Sequence, residues 1–320
     1  MLATVAGLGI ALWTLGANGF AEIFSIAGRV GPGGFIIYCA WSLGVFGLLG
    51  GAWLAAAPGE GVDRLPLFAW ARMVREAAAD MLPFSQLGGI VLAARTLGGH
   101  AVATSKAYGA MVVDMTTEMA AQLVFTLFGL SLMASLLIGD DAVTSLRPLI
   151  LGGTGVMVAI ILGFFLAQRW VLDAMAGLAG RFVPGSAAML GEIRAELEHI
   201  YTHRLRVVIA FVLNLAAWVG SGIGAWIVLR FMEVDISVWS VLSLESLIFT
   251  LRGVAFAIPG GLGVQEAAYA LAGPLFGLPA ETALALSLAK RARDVAIGLP
   301  TLIVWQLREA HSVRFGLGAG

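Results

Sequence analysis

The sequence predicts an all-α fold: a polytopic transmembrane helical bundle of about six to eight membrane segments. Three observations lead there. Hydrophobic residues make up 59% of the 320-residue chain and charged residues 12%, against roughly 45–50% and 25% in soluble domains. With a mean hydropathy of +0.92, the chain has too little polar surface to dress a water-soluble fold. Five stretches free of Asp, Glu, Lys and Arg are long enough to cross a hydrocarbon layer about 30 Å thick at 1.5 Å per residue. Two further apolar regions are cut by charges and by proline and glycine, as membrane helices are where protein or a watery cavity shields the opened backbone.

The elements follow in chain order within one integral membrane domain spanning 1–320. Leu2–Ala21 opens the chain as MLATVAGLGIALW with no basic leader, so it reads as a retained first span rather than a signal peptide. Asn18 and Glu22, four apart at its end, are placed facing the bundle interior. Gly34–Ala57 is the second span. Leu65–Met81 mixes Leu67, Phe68, Trp70, Met73 and Val74 with Arg72, Arg75, Glu76 and Asp80, the pattern of an interfacial helix on the cytoplasmic leaflet. The first broken region, 83–118, carries turn signals at Pro83, Gly88 and Gly89 and charges at Arg95, Lys106, Asp114 and Glu118.

Met119–Gly139 and Pro148–Gln168 are the next uncharged spans, and 169–206 is a charged connector ending in the helix Met189–Arg206. Val207–Leu229 crosses again. The second broken region, 236–307, carries Glu245, Arg252, the run Pro259-Gly260-Gly261-Leu262-Gly263, Glu266, and then Lys290, Arg291, Arg293 and Asp294. Pro83 to Glu118 and Pro259 to Asp294 are equal separations, a register that places Asp114 opposite Lys290. The two regions therefore read as an internal repeat. Short, interrupted segments in corresponding positions point to a transporter's binding site.

Arginines after the second span and in the connector put those loops, and the N-terminus, on the cytoplasmic side. Arg308 and Arg314 favour a cytoplasmic C-terminus. That requires Ile236–Ile258 not to cross fully and makes the repeats inverted; a full crossing would make them parallel.

Ionisable residues inside a membrane are functional candidates by default. Asp114 and Glu118, at i, i+4, repel each other unless protonated or met by cations. The surplus positive charge of Lys290, Arg291 and Arg293 over Asp294 offers those cations, or a seat for a lipid phosphate. Glu245 and Arg252 lie two turns apart on one face. Glu266 falls in the first turn of a helix after a sharp Pro-Gly reversal, where the dipole favours a carboxylate. His199 and His203 lack a metal-binding pattern, and Cys39 is the sole cysteine, so no metal or cofactor site is expected. No Walker loop, nucleophile elbow or dinucleotide fingerprint appears, and no enzymatic activity is expected. A formal charge of −1 gives no field for nucleic acid.

The blocks LPFSQLGGIVLAARTLGG (Leu82–Gly99), VDMTTEMAAQLVF (Val113–Phe125) and FAIPGGLGVQEAAYALAGPLFGLPAETALALSLAKRARDVAIGLP (Phe256–Pro300) resemble a bacterial membrane family. It is the one containing the flippase-like domain of lysyl-phosphatidylglycerol synthases, and its hopanoid-biosynthesis-associated branch is the closest in these blocks. The resemblance implies a multi-pass protein of the inner membrane that moves lipids, with hopanoid or phospholipid as cargo and envelope-lipid synthesis proteins as partners. Some relatives carry a glutamate after the paired glycines of the first block; Ile90 stands there. The chain carries no soluble aminoacyl-transferase domain, so lysyl-lipid synthesis is not expected of it. Three functions remain open at the level of residues: a lipid translocator, a membrane-embedded enzyme acting on a lipid headgroup, and a non-catalytic member of a lipid-synthesis complex.

Overall fold

A computed structural model of the chain describes residues 2–81, 85–136, 186–254 and 261–314, with isolated positions at 155, 159, 163 and 166. Among the described residues there are α-helices, short 3-10 turns and no strand. The helices are α1 (Leu2–Ala17), α2 (Phe20–Gly28), α3 (Gly31–Ala55), α4 (Leu65–Met81), α5 (Ser85–Gly98), α6 (Thr104–Leu136), α7 (Ser186–Thr202), α8 (Arg204–Phe231), α9 (Val238–Val254), α10 (Val264–Ala272) and α11 (Ala280–Arg314). By length and apolar composition, Gly31–Ala55, Thr104–Met133 and Arg204–Phe231 can each cross a membrane. The expected span Pro148–Gln168 lies outside the described residues apart from the isolated helical positions 155, 159, 163 and 166, as do the turn residues Pro83, Pro259 and Gly260.

Side-chain contacts give the direction of each helix. Helices α3 and α8 run antiparallel: Gly34 faces Phe231, Trp41 Nε1 donates to the Gly220 carbonyl at 2.7 Å, and Arg206 Nε donates to the Ala55 carbonyl at 2.9 Å. The end of α3 and the start of α8 therefore share one face of the bundle, here face A. The end of α8 and the start of α9 lie on the opposite face, B. Helix α6 runs parallel to α8, with Asp114 beside Asn214 and Glu118 beside Trp218, so it travels from A to B.

Two short hairpins enter this frame from opposite faces. Helix α4 starts on face A and α5 returns to it, since Arg64 donates to the His100 carbonyl at 3.0 Å and Lys106 reaches Glu60 at 3.3 Å. Helix α9 starts on face B and runs inward antiparallel to α6. Gln122 meets the Phe249 carbonyl, Thr126 meets Thr250, and Gly129 meets Ser243 and Ser246. Helix α10 turns back toward B, packing antiparallel on α11, with Glu266 beside Arg291 and Gly273 beside Ala283. Helix α11 then runs from B to A, bringing Gly298 to Met81, Trp305 to Thr96 and Glu309 to Arg95.

The two broken regions thus share one order: a 17-residue helix, a short helix, and a long helix of 33 or 35 residues. The register that pairs Asp114 with Lys290 also pairs Thr104, the first residue of α6, with Ala280, the first of α11. Because one triplet enters from A and the other from B, the repeat is inverted.

Apolar burial is divided in the same way. One core gathers Trp53, Phe68, Leu97, Met111 and Leu197 toward face A. The other gathers Ile23, Leu229, Met232, Leu244 and Leu284 toward face B. Most of the buried charges lie between them.

Four expectations are corrected. The first span is bent by 88° between α1 and α2: at Gly19 the backbone turns to φ 81, Asn18 folds back onto the Thr14 carbonyl at 2.8 Å, and Glu22 is exposed. Gly88 and Gly89 sit inside α5 rather than at a turn; a Cβ on Gly89 would come within 2.5 Å of the Arg75 carbonyl oxygen, so this glycine serves close helix contact. The uncharged span from Met119 is the second half of α6, which begins at Thr104 because its charges are paired rather than facing lipid. Leu65–Met81 is no interfacial helix: Phe68, Ala71, Arg72, Val74, Arg75 and Ala77–Ala79 are buried in the bundle.

Candidate functional site

On α4, Arg72, Arg75, Glu76 and Asp80 stand at i, i+3, i+4 and i+8, which places them on one helical face. Arg72, fully buried, donates to Asp114 Oδ2 at 2.7 Å and to Glu118 Oε1 at 2.5 Å. Arg75 lies 3.5 Å from both carboxylates, and Glu76 closes the group at 3.0 Å from Arg72 Nε. From α8, the Asn214 amide donates to Asp114 Oδ1 and to Thr117 Oγ1, each at 3.1 Å. Two guanidiniums between two carboxylates relieve the repulsion that the i, i+4 acids would otherwise suffer. They also give each buried charge the hydrogen-bonded partner it needs at low dielectric.

The second cluster reverses the polarity. On α9, Glu245 accepts from both Tyr269 Oη of α10 and Lys290 Nζ of α11, and Lys290 also donates to Tyr269 Oη at 2.8 Å. Glu245 and Tyr269 are fully buried. The Lys290 ammonium stands 4.8 Å from the centre of the Phe249 ring, within cation–π range. Phe249 in turn packs on Trp218 at 4.7 Å, whose indole donates to the Glu118 carbonyl at 3.3 Å. Two aromatic rings therefore separate the two clusters. In the repeat register, an acid on the long helix meets bases on the first helix in one triplet; a base on the long helix meets an acid on the first helix in the other.

A third group joins the triplets. Asp80, one residue before the end of α4, pairs with Arg252 near the end of α9 at 3.4 Å. The inner ends of two hairpins that enter from opposite faces thus meet in one ion pair. Gly261, with φ 61, turns the chain against Arg252; a Cβ there would lie 3.3 Å from Arg252 Cγ, so the turn tolerates only glycine well. Arg293 pairs with Asp294 at 2.7 Å, stacks 5.6 Å from the Tyr38 ring, and with Asp294 lies close enough to act electrostatically on Asp80.

Glu266 is both a helix cap and an ion-pair partner. Its Oε2 accepts from the Gly263 N–H at 2.8 Å, capping α10, where Gly263 has φ 78. Its Oε1 accepts from Arg291 Nε at 3.0 Å.

All nine charged candidates read from the sequence lie within these groups, but not with the partners expected. Asp114 and Glu118 are met by Arg72 and Arg75 of α4, not by cations of the second region. Lys290 turns to Glu245, Arg291 to Glu266, and Arg293 takes Asp294. Arg72, Arg75, Asp80, Asn214 and Tyr269 were not among the candidates. The spacing of the α4 charges, with the small residues Ala77–Ala79 between them, is the signal that marks that face as packed rather than solvated. Among the described residues no group of three or more His, Cys, Asp or Glu could hold a metal ion.

A family model described as the lysylphosphatidylglycerol synthase TM region matches residues 1–300, and the chain belongs to that family. No curated protein and no solved structure matches the chain. The family and the apolar helices place the protein in a membrane.

Proposed function

We propose that the protein is a flippase-like lipid translocator of the bacterial inner membrane, working without an enzymatic step. The observation that carries this reading is the Asp80–Arg252 contact, where hairpins from opposite faces meet at mid-bundle. Inverted repeats with interrupted helices bind their substrate near the midplane and expose it alternately to either side. A lipid headgroup crossing a bilayer needs polar partners at that depth, because an unpartnered polar group in hydrocarbon costs several kcal/mol. The layer of buried ion pairs between the two apolar cores supplies such partners, while the lipid's tails stay in the bilayer.

Face A carries Arg64, Arg95, Lys106, Arg204, Arg206 and Arg308, whereas Arg29 and Arg230 lie toward face B. By the excess of cations in cytoplasmic loops, face A is the cytoplasmic one. Phospholipid is the cargo class that the paired arginines favour; the resemblance to the hopanoid-associated branch makes a hopanoid lipid the alternative cargo.

Reconstitution into proteoliposomes tests the reading. Fluorescently labelled phospholipid should exchange leaflets faster than in protein-free vesicles, and Arg252→Gln should slow exchange by about tenfold or more, the equivalent of one charge-assisted hydrogen bond. Exchange no faster than in empty vesicles would overturn it.

A further inference from the structure

We infer that the junction of the two hairpins is a binding site for a net-neutral, zwitterionic headgroup bearing a primary ammonium and a phosphodiester. The location of this site on a lipid path rests on the translocator reading; the choice of headgroup rests on the site's own charges. Four charged groups meet there, Asp80 and Asp294 against Arg252 and Arg293, and they sum to zero; Glu76, one turn before Asp80 and also within electrostatic reach of it, is matched by Arg72 at 3.0 Å. The Asp80–Arg252 contact is long, at 3.4 Å, and both side chains keep about a quarter of their surface open, at 26% and 22%. The Lys290–Glu245 pair nearby is closed by comparison, at 3% and 0%. Of the two pairs, the open one is placed to exchange partners.

Partner exchange decides what the site accepts. A phosphodiester takes the place of Asp80 on Arg252, whose planar fork suits two phosphate oxygens. Asp80 is then left as a partly buried anion without its partner unless the same ligand supplies a cation. A primary ammonium, set a short linker from the phosphate, supplies one with hydrogen-bond donors. An anionic headgroup fills only the arginine half, and a headgroup with surplus positive charge fills only the acidic half. Either leaves an uncompensated charge in a low-dielectric site, which is strongly unfavourable. A quaternary ammonium balances charge but donates no hydrogen bond to Asp80. Arg293, steadied by Asp294 and the Tyr38 ring, stands as the second phosphate partner.

Binding of short-chain phospholipids to the purified full chain in detergent tests this, read by native mass spectrometry or calorimetry. The probes are dioctanoyl phosphatidylethanolamine, phosphatidylcholine, phosphatidylglycerol and an aminoacylated phosphatidylglycerol of net positive charge. Phosphatidylethanolamine should bind about tenfold tighter or more than each of the others, the scale of one charge-assisted hydrogen bond. Asp80→Asn should bring phosphatidylethanolamine down to the level of phosphatidylcholine, and Arg252→Gln should weaken every phosphate lipid. Equal affinity across the panel, tighter binding of phosphatidylglycerol or the aminoacylated lipid, or a preference untouched by Asp80→Asn would each overturn the inference. If either variant fails to fold, the wild-type panel alone decides. Leaflet exchange without headgroup preference would sink this inference and leave the translocator reading intact; selective binding without exchange would do the reverse.

Discussion

The Glu245–Lys290–Tyr269 triad shows what a buried charge in this bundle requires. Glu245 has two donors, and Lys290 has a carboxylate, a phenol and an aromatic face. Removing one partner leaves the other charged with nothing to replace it, which costs about 3–5 kcal/mol in buried pairs. Glu245→Leu and Lys290→Met should therefore each lower the unfolding temperature of the detergent-solubilised protein sharply. The double variant Glu245→Leu/Lys290→Met should lose less than the sum of the two, since no orphaned charge remains. Additive losses would show that the pair is not coupled. Sequence spacing identified Glu245 and Lys290 as members of one polar region but not as each other's partner. Their separation of 45 residues is bridged only once α9 and α11 are both folded, and no local pattern encodes that distance.

At the scale of helices, the arrangement rests on a few close backbone contacts. Helix α4 is held against α3 where Gly50 meets Ala69; a Cβ on Gly50 would come within 2.4 Å of the Ala69 Cα. One turn earlier on α3, Gly47 has nothing within 4 Å of such an atom. Gly50→Ala should thus destabilise by about 1–3 kcal/mol through overpacking. Gly47→Ala, relieved of glycine's entropy cost in a helix, should be neutral or stabilising by up to about 1 kcal/mol. Thermal unfolding of the two variants side by side is the measurement, and equal behaviour would remove the α3–α4 contact from the account. The sequence of α4 reads as interfacial for a different reason. Its arginines and acids look solvated in sequence, and burying them depends on α6 bringing Asp114 and Glu118 to the same depth. Hydropathy scores each residue against lipid or water; it has no term for a cation whose neighbour in space is an anion 42 residues away.

For the whole molecule, the consequence is topological. The long spans α3 and α8, and the second half of α6 from Met119, were legible from uncharged length alone, and the repeat was legible from the positions of Pro83 and Pro259. Whether the repeat was inverted hung on whether Ile236–Ile258 crosses, which periodicity does not decide. The antiparallel run of α9 against α6 resolves it, because α9 stops at the level of Gln122 and α10 turns back to the face it came from. It follows that the α3–α4 loop and the end of α11 share one side, and the α8–α9 loop lies on the other. Single cysteines read this directly once Cys39 is replaced by alanine. Val62, 80% exposed, and His311, exposed near the end of α11, should react from the same side of sealed vesicles when changed to cysteine. Asp235, whose side chain is fully exposed, should react only from the opposite side. If His311→Cys and Asp235→Cys were labelled from one side, α9 would have to cross the membrane completely. The two hairpins would then enter from the same face, and Asp80 and Arg252 would no longer meet as inner ends of opposed halves.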